Sequence, residues 1–330
     1  MDIPKGFWKD LPRPFFALAP MDDITDPVFR QMVFKYGAPD LVFTEFVSCD
    51  GLCSEGREAL LPRLWFKENE RPIIARFFGA TPKNFYKCAQ LAQELGFDGI
   101  DINMGCPDKK IEKQGAGASL ILNPKLAKKI IKETIRGAGD LPVSVKTRIG
   151  YKKNNIREWI SHLLETEISA ITIHGRTRQE LYFASADWEV IAKAVEITKG
   201  SRILIIGNGD IKTVGEGIEK AKISGVDGIM IGRAVIGNPW LFSGRDLKDI
   251  GLEERLNVLL EHSISFEKMF GIGQKTASEG GRGFNDIKKH FKSYTLGFDG
   301  VKKLRENLML AKNAEEVKFI VKNFLKNKSL

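Results

Sequence analysis

Cysteine and histidine are both scarce in this chain. Among 330 residues there are only four of each. Four cysteines do not make a disulfide framework for a chain this long, so we expect reduced thiols and a cytoplasmic protein. Cys49 and Cys53 have no second cysteine or histidine pair nearby, which argues against a structural zinc site. We therefore predict no metal and interpret these two cysteines as structural.

Long apolar runs are missing as well. No run approaches the roughly 18 residues that a membrane-spanning helix needs, and residues 1–13 lack the apolar core of a signal peptide. The hydrophobic fraction of 43% and the charged fraction of 28% are typical of a globular protein. The length allows one large domain and one small one.

A glycine fingerprint for dinucleotides is absent too. The pairs at Gly115 and Gly117 and at Gly207 and Gly209 each lack a third glycine at the required spacing. A nicotinamide cofactor, if one is used, therefore has no dedicated Rossmann domain in this chain.

Short β-rich runs alternate with amphipathic helical segments from residue 15 to residue 233. This rhythm is typical of parallel strands joined by crossover helices, and eight such runs favour a closed (β/α)₈ TIM barrel. A doubly wound open sheet remains the alternative. The eight predicted strands are 15–21, 41–46, 72–79, 99–105, 142–150, 170–176, 202–210 and 228–233.

After residue 243 the pattern changes to helices only. We predict a catalytic barrel domain over 1–243 and a small all-α domain over 244–330, with helices near 253–270, 283–295, 299–310 and 314–325. Residues 271–283 contain five glycines and predict a mobile loop. One binding face and no apolar surface stripe make a monomer the expected state.

Nearly every predicted strand ends in polar residues or glycine, which would meet at one rim of a barrel. Catalytic groups gather at that rim. The fourth strand ends at Cys106, and Pro107 prevents further ladder pairing, so a loop presents the thiol. Lys109 belongs to a flexible basic segment directly behind it, which suits a phosphate-bearing partner. The alternative is that Cys106 is an ordinary buried cysteine.

Cations and amides at the same rim suggest a cofactor. Lys146, His174, Arg176 and Arg233, with the amides Asn103 and Asn208, suit an electron-rich ring that carries a phosphate. The loops after the last two strands commonly form a phosphate site in barrels, and Gly209, Gly232 and Arg233 fit one. FMN therefore fits better than NAD. Pairing of Lys146 and His174 with barrel carboxylates is the alternative.

The net charge of +9 favours a polyanionic partner. Seven of the cations lie between residues 282 and 305. They form a basic patch on the predicted helical domain: Arg282, Lys288, Lys289, Lys292, Lys302, Lys303 and Arg305.

Six segments together resemble the tRNA-dihydrouridine synthase family, and the likeness runs from about residue 15 to about residue 310. The segments are Ala19-Pro20-Met21, Asn103-Met104-Gly105-Cys106-Pro107, Val145-Lys146-Thr147-Arg148, His174-Gly175-Arg176-Thr177, Gly207-Asn208-Gly209-Asp210-Ile211 and Met230-Ile231-Gly232-Arg233-Ala234.

The resemblance implies an FMN enzyme that reduces the C5–C6 bond of uridines in tRNA with electrons from NADPH or NADH. Cys106 would then be the acid that protonates C5, from the face of the base opposite to the one at which hydride reaches C6. Asn103 and Arg176 would face the uracil. The helical domain would grip tRNA, rather than DNA or a membrane, through Lys288, Lys289 and Arg305. The implied cofactor residues are Ala19, Pro20, Met21, Arg76, Lys146, His174, Asn208, Gly209, Asp210, Gly232 and Arg233.

One residue departs from the family pattern. Arg76 stands where a glutamine is usual, and a guanidinium accepts no hydrogen bond. It would either raise the flavin potential or turn toward Glu45. Three alternatives to the tRNA reading remain: an FMN barrel that reduces a free pyrimidine-like molecule, the same chemistry on ribosomal RNA, and an RNA-binding barrel without chemistry.

Overall fold

A computed structural model describes residues 6–272 and 282–328 of the chain. The chain divides into two compact units. The first, here the barrel unit, comprises Met1–Pro20 and Pro39–Gly232; the second, the helical unit, comprises Met21–Ala38 and Arg233–Leu330.

Eight parallel strands form the barrel unit, and each lies within a predicted run or close to it. They are β1 Phe15–Leu18, β2 Val42–Ser48, β3 Ile73–Phe78, β4 Gly99–Met104, β5 Val143–Arg148, β6 Ala170–His174, β7 Leu204–Asn208 and β8 Gly228–Ile231. Their order in the sheet is β1-β8-β7-β6-β5-β4-β3-β2. A parallel bridge between Ala17 and Leu41 joins β1 to the start of β2. The ring therefore closes, and the barrel prediction is confirmed over the open sheet.

Side chains alternate along each strand, so every second residue points into the barrel. The lower interior is apolar and includes Phe15, Ile74 and Ile206, all fully or almost fully buried. Two residues further along the strands the interior becomes polar, as at Arg76 and Asn208. The apolar layers bury the surface that stabilises the barrel, and the polar layer at the carboxyl ends is left for a site.

Helices follow the strands of the barrel unit. They are α2 Cys49–Leu52, α3 Arg57–Leu60, α4 Pro82–Glu94, α5 Lys109–Glu112, α6 Pro124–Ala138, α7 Ile156–Leu164, α8 Trp188–Thr198 and α9 Val214–Ser224. Between β2 and β3 the helical segment is not continuous but is divided into α2, α3 and a 3₁₀ turn over Leu61–Leu64. Gly51 and Gly56 favour this break, because glycine weakens a helix interior.

The helical unit combines α1 Pro27–Tyr36 with α10 Leu252–Phe270, α11 Lys288–Tyr294, α12 Lys302–Leu310 and α13 Ala314–Lys328. Asp26 caps α1 by accepting hydrogen bonds from the backbone of Val28 and Phe29. At the other end of α1, Lys35 and Tyr36 bind Glu261 of α10 at 2.6 and 2.7 Å. By its contacts α1 thus belongs with the C-terminal helices, although the domain division predicted from the sequence places it within 1–243. Most of the predicted loop over 271–283 lies outside the described residues.

Within the described residues, no helix is long and apolar enough to cross a membrane.

Two buried histidines lie at the centre of the helical unit. The ring of Phe29 packs on both His262 and His290, at 5.4 and 4.3 Å between centroids. His262 Nδ1 lies 3.2 Å from the Tyr294 hydroxyl, and His290 Nδ1 accepts a hydrogen bond from the Gly237 backbone. Burial holds the pKa of His290 at about 3 and the pKa of His262 well below 6.5. Both rings are therefore neutral near pH 7.

These histidines should make the free energy of unfolding depend on pH. The unfolded chain takes up a proton at each histidine near pH 6.5, but the folded chain does not. Stability is therefore complete above about pH 6.5 and falls below it, by about 1.4 kcal/mol per pH unit for each histidine. The free energy of unfolding, measured with urea, should fall less steeply from pH 6 to pH 5 in His290→Gln than in wild type. Above pH 7 its dependence on pH should be the same in the two proteins. Equal slopes below pH 6 would contradict this account.

Candidate active site at the carboxyl rim of the barrel

Cys106 lies on a loop that begins where β4 ends, and the loop is held by hydrogen bonds from several elements. The side-chain oxygen of Asn103 accepts hydrogen bonds from the backbone of Gly105 and Cys106, at 3.2 and 3.0 Å. The Cys106 carbonyl accepts one from the Ala118 backbone at 2.9 Å. The thiol residue is half-buried, as the sequence predicts for a strand-tip loop.

The same two bonds fix the orientation of the Asn103 amide. Because Oδ1 must face the two N–H donors, Nδ2 points away from them, and this buried nitrogen has no hydrogen-bond partner. An unsatisfied buried donor costs about 1–3 kcal/mol. It marks a position where a ligand acceptor would be favoured.

Gly117 allows the loop to approach Cys106. Its φ is +64°, and a Cβ there would lie 2.7 Å from the Cys106 carbonyl oxygen and 2.9 Å from Ile111. Both the backbone conformation and the space therefore require glycine.

Arg148, at the end of β5, is a residue whose role the sequence reasoning missed. Its Nε donates to the Gly105 carbonyl at 2.7 Å, and its Nη1 donates to the Thr177 carbonyl at 3.1 Å. The side chain thus ties the Cys106 loop to the loop after β6. Its position at a strand end was a signal, but sequence does not show which carbonyls a guanidinium reaches.

Lys146 points into the polar layer of the barrel. Its Nζ donates to Asn208 Oδ1 at 3.0 Å, while Asn208 Nδ2 donates to the Met230 carbonyl at 2.8 Å. Burial, together with the nearby charges of Arg76 and Arg148, holds the pKa of Lys146 well below its usual 10.5. Interaction with Asp101 and Cys106 acts in the opposite direction. An anion brought to Nζ would therefore raise this pKa.

Arg76 forms a buried ion pair with Asp101 on the neighbouring strand β4. Its Nε lies 3.1 Å from Asp101 Oδ2, and the two residues are 4% and 0% exposed. Ser144 Oγ donates to the other carboxylate oxygen at 2.9 Å. Burial lowers the pKa of Arg76 and raises that of Asp101, while the pairing opposes both shifts. This carboxylate, rather than the Glu45 that the sequence suggested, is the ion-pair partner that the geometry defines.

A second charged group joins the loops after β6 and β7. Arg176, only 3% exposed, donates through Nη2 to Asp210 at 2.7 and 2.5 Å and through Nε to the Ala184 carbonyl at 2.5 Å. Its Nη1 lies 3.2 Å from His174 Nε2. Because guanidinium only donates, His174 Nε2 must accept, and a neutral ring then carries its proton on Nδ1. These contacts favour a positioning role for Arg176; its contact with uracil stays a prediction.

Gly209 keeps space next to His174. Its φ is +133°, and a Cβ there would lie 2.5 Å from the Ala186 side chain and 3.3 Å from His174 Cδ2. Gly209 follows β7, and Gly232 follows β8, the neighbouring strand in the sheet. Ala19 and Pro20 follow β1, and the Ala19 backbone donates to the Ile231 carbonyl at 2.8 Å.

The segment behind Cys106 is a short helix, α5, with exposed lysines that include Lys109. Glu112, at the end of α5, forms an ion pair with Arg178. The Nε atom of Arg178 lies 2.9 and 2.8 Å from the two carboxylate oxygens. Arg178 also donates to the Pro107 carbonyl at 3.4 Å. This pair is a second link between the Cys106 loop and the loop after β6.

The other predicted site residues belong to the helical unit. The Met21 backbone donates to Thr25 Oγ1 at 2.8 Å, and Arg233 is exposed at the start of a 3₁₀ turn. Lys289 Nζ is 3.1 Å from Asp23 Oδ2, so part of its charge is neutralised within the unit. Burial lowers the pKa of the half-buried Lys288, and Arg305 is half-buried on α12. The roles of all five in binding stay predictions.

A family model described as dihydrouridine synthase matches residues 17–329. The chain belongs to the dihydrouridine synthase family. It is 39% identical over 324 residues to a probable tRNA-dihydrouridine synthase 2 of Bacillus subtilis (strain 168), which covers 97% of each chain. It is 38% identical over 324 residues to a probable tRNA-dihydrouridine synthase of Staphylococcus aureus (strain MRSA252), which covers 97% of this chain and 96% of that protein. The family predicted from six motifs is thus confirmed.

The fold of this dihydrouridine synthase family member is also similar to that of a 2-naphthoyl-CoA reductase solved with 2-naphthoyl-CoA. The match has a TM-score of 0.51 at 13% identity and covers 69% of this chain and 49% of the other. Identity this low supports the fold alone.

The lack of space around Gly117 leads to a prediction for this member of the dihydrouridine synthase family. Gly117→Ala should lower the rate of dihydrouridine formation by about 100-fold, because displacement of a catalytic group by about 1 Å costs that much. Gly115→Ala is the matched control: its φ is +75°, but its Cβ would meet nothing closer than the Ala80 side chain at 3.6 Å. Steady-state assays of both purified variants would check this. Equal loss in both would mean that backbone strain, not the contact with Cys106, is decisive.

Proposed function

We propose that this protein reduces specific uridines of tRNA to 5,6-dihydrouridine. The observation that carries the proposal is a half-buried thiol on a fixed loop beside Arg76, Lys146 and Arg148, in a chain of the dihydrouridine synthase family.

Cys106 is the proposed acid, and its surroundings suit that role. When a thiol gives its proton to C5 of uracil, a thiolate remains. Arg76, Lys146 and Arg148 each interact favourably with a charge at Cys106. These cations therefore stabilise the thiolate that the proton transfer leaves behind, without moving from their positions in the barrel.

The barrel residues also fit a flavin, and we propose FMN. Cationic and N–H donors surround the rim, and Asn103 Nδ2 and Thr172 Oγ1 are buried without a hydrogen-bond partner. Lys146 and His174 would contact the ring, with Asn208, Gly209 and Gly232 toward the phosphate; Ala19, Pro20, Arg76 and Asp210 would support them. Once bound and reduced by NADPH or NADH, the flavin would supply the hydride for C6.

Asn103 has two tasks in this proposal. Its oxygen holds the backbone of Cys106, and its free Nδ2 would donate to a carbonyl of the uracil. One side chain would thereby set the distance between the Cys106 thiol and the uracil that it protonates. Positioning of this kind can contribute strongly to the rate.

The helical unit is the proposed tRNA-binding part. Lys292, Lys302 and Lys303 are exposed on or next to α11 and α12, where they can neutralise phosphates. The base to be reduced would have to leave its stack to reach a barrel rim. A cytoplasmic monomer stays our prediction.

Mapping of dihydrouridine in cellular RNA tests the function. In a strain that lacks the gene, dihydrouridine should disappear from a defined tRNA position and return with wild type. Cys106→Ala should restore little, since loss of a general acid costs about 10²–10⁴ in rate. Cys53→Ala is the matched cysteine control and should restore the modification under reducing conditions.

Two of the alternatives give different outcomes in the same experiment, and the third is tested on the purified protein. Loss at a ribosomal RNA position would make ribosomal RNA the substrate. No change at any RNA position would contradict RNA reduction and favour a free pyrimidine. Purified protein that does not take up FMN would favour an RNA-binding protein without chemistry.

A further inference from the structure

Three of the four cysteines lie together, away from Cys106. Cys49 begins α2 and Cys53 follows its end, so their four-residue spacing places both on one side of the turn. Cys88 is in the middle of α4. Its sulfur donates to the Cys49 carbonyl at 3.8 Å, and the Cys53 sulfur donates to the Asn84 carbonyl, also of α4, at 3.9 Å.

The thiols also interact with one another. Interactions with the thiols of Cys49 and Cys53 lower the pKa of Cys88. Burial, with Cys88 nearby, raises the pKa of Cys53 to about 11. Cys53 is thus mostly protonated near pH 7.

A cavity opens onto two of these sulfur residues. It has a volume of about 270 Å³ and is lined by Cys53 and Cys88 together with Leu52, Ser54, Arg57, Lys87 and Leu91. Cys53 is half-buried, whereas Cys49 and Cys88 are 0% and 1% exposed. Arg57 and Lys87 are exposed cations at the same cavity. A reagent would therefore reach Cys53 first and would be attracted if it carried negative charge.

We propose that Cys53 and Cys88 form a redox-active thiol pair that reacts with anionic low-molecular-weight disulfides. Cys53 is the sulfur that a reagent can reach; its thiolate, a minor form near pH 7 because the pKa is raised, attacks one sulfur of the small disulfide, which breaks its S–S bond and releases one small thiol. The sulfur of Cys88 then attacks Cys53 Sγ and displaces the second small thiol. Two protein thiols are oxidised to one disulfide, the small disulfide is reduced to two thiols, and the two protons leave with them.

This pair differs from the Cys106 site in both position and chemistry. Cys106 gives a proton and is not oxidised in the proposed reaction, whereas Cys53 and Cys88 exchange electrons with a small molecule. The chain therefore has a modification site beside the loop that follows β2, and Cys49 stays a buried structural residue.

Disulfide exchange with defined small molecules tests the proposal. The full chain carrying Cys106→Ala, fully reduced, would be mixed with oxidised glutathione and analysed by mass spectrometry after alkylation. We expect a Cys53–Cys88 disulfide. Cys88→Ser should stop at a glutathione adduct on Cys53, and Cys53→Ser should leave Cys88 unmodified.

A charge control is independent of the buried positions. Arg57→Gln with Lys87→Gln alters only exposed side chains, so the fold should be preserved. It should slow the reaction with oxidised glutathione on the order of tenfold at low ionic strength, but not the reaction with neutral 2-hydroxyethyl disulfide. Three outcomes would each overturn the proposal. They are a Cys49–Cys53 disulfide, a Cys53 adduct that persists in the Cys106→Ala chain, and modification of Cys88 in Cys53→Ser.

Discussion

Burial of positive charge at the carboxyl rim of a closed barrel is the constraint on which the site depends. Arg76, Lys146 and Arg148 come from β3 and β5, the two strands that flank β4, and the barrel removes much of their water. Such charges are costly unless they are paired. Asp101, which accepts a hydrogen bond from Ser144, stabilises Arg76; two backbone carbonyls stabilise Arg148, and Asn208 offers Lys146 only a neutral oxygen. The least compensated cation is thus the one that faces the predicted flavin.

The position of Cys106 follows from the same architecture. β4 delivers Asn103 to the polar layer, and its side-chain oxygen accepts hydrogen bonds from the backbone of Gly105 and Cys106. Arg148 from β5 holds the Gly105 carbonyl, and Gly117 lets the returning chain bond to the Cys106 carbonyl. The thiol is therefore held by rigid strands on two sides, although it lies on a loop. This arrangement limits the motion of the thiol, which its proposed role as a proton donor requires.

Much of the fold was predictable from the sequence, because apolar runs of strand length alternate with helical periodicity from residue 15 to residue 233. Cys106 and the polar strand ends were also predictable, since Pro107 and the glycines end the ladders. The hydrogen-bond partners of the site residues were not predictable. Arg148 reaches the Gly105 carbonyl, and Arg176 reaches Asp210, across loops whose paths depend on tertiary packing. The association of α1 with α10, which Glu261 stabilises, was not predictable either, because it connects residues over 220 positions apart.

The most direct test of the account is calorimetric titration of the flavin-free protein with FMN in buffers of different ionisation enthalpy. If the rim binds FMN through Lys146, the electron-rich edge of the ring near Nζ should raise the pKa of Lys146, so wild type should take up protons on binding in the pH range between the unbound and bound pKa of this group. Lys146→Met should remove this uptake and weaken binding tenfold or more, because a hydrogen bond to a charged group contributes about 1.5–3 kcal/mol. Equal affinity and equal proton uptake in the two proteins would contradict the account.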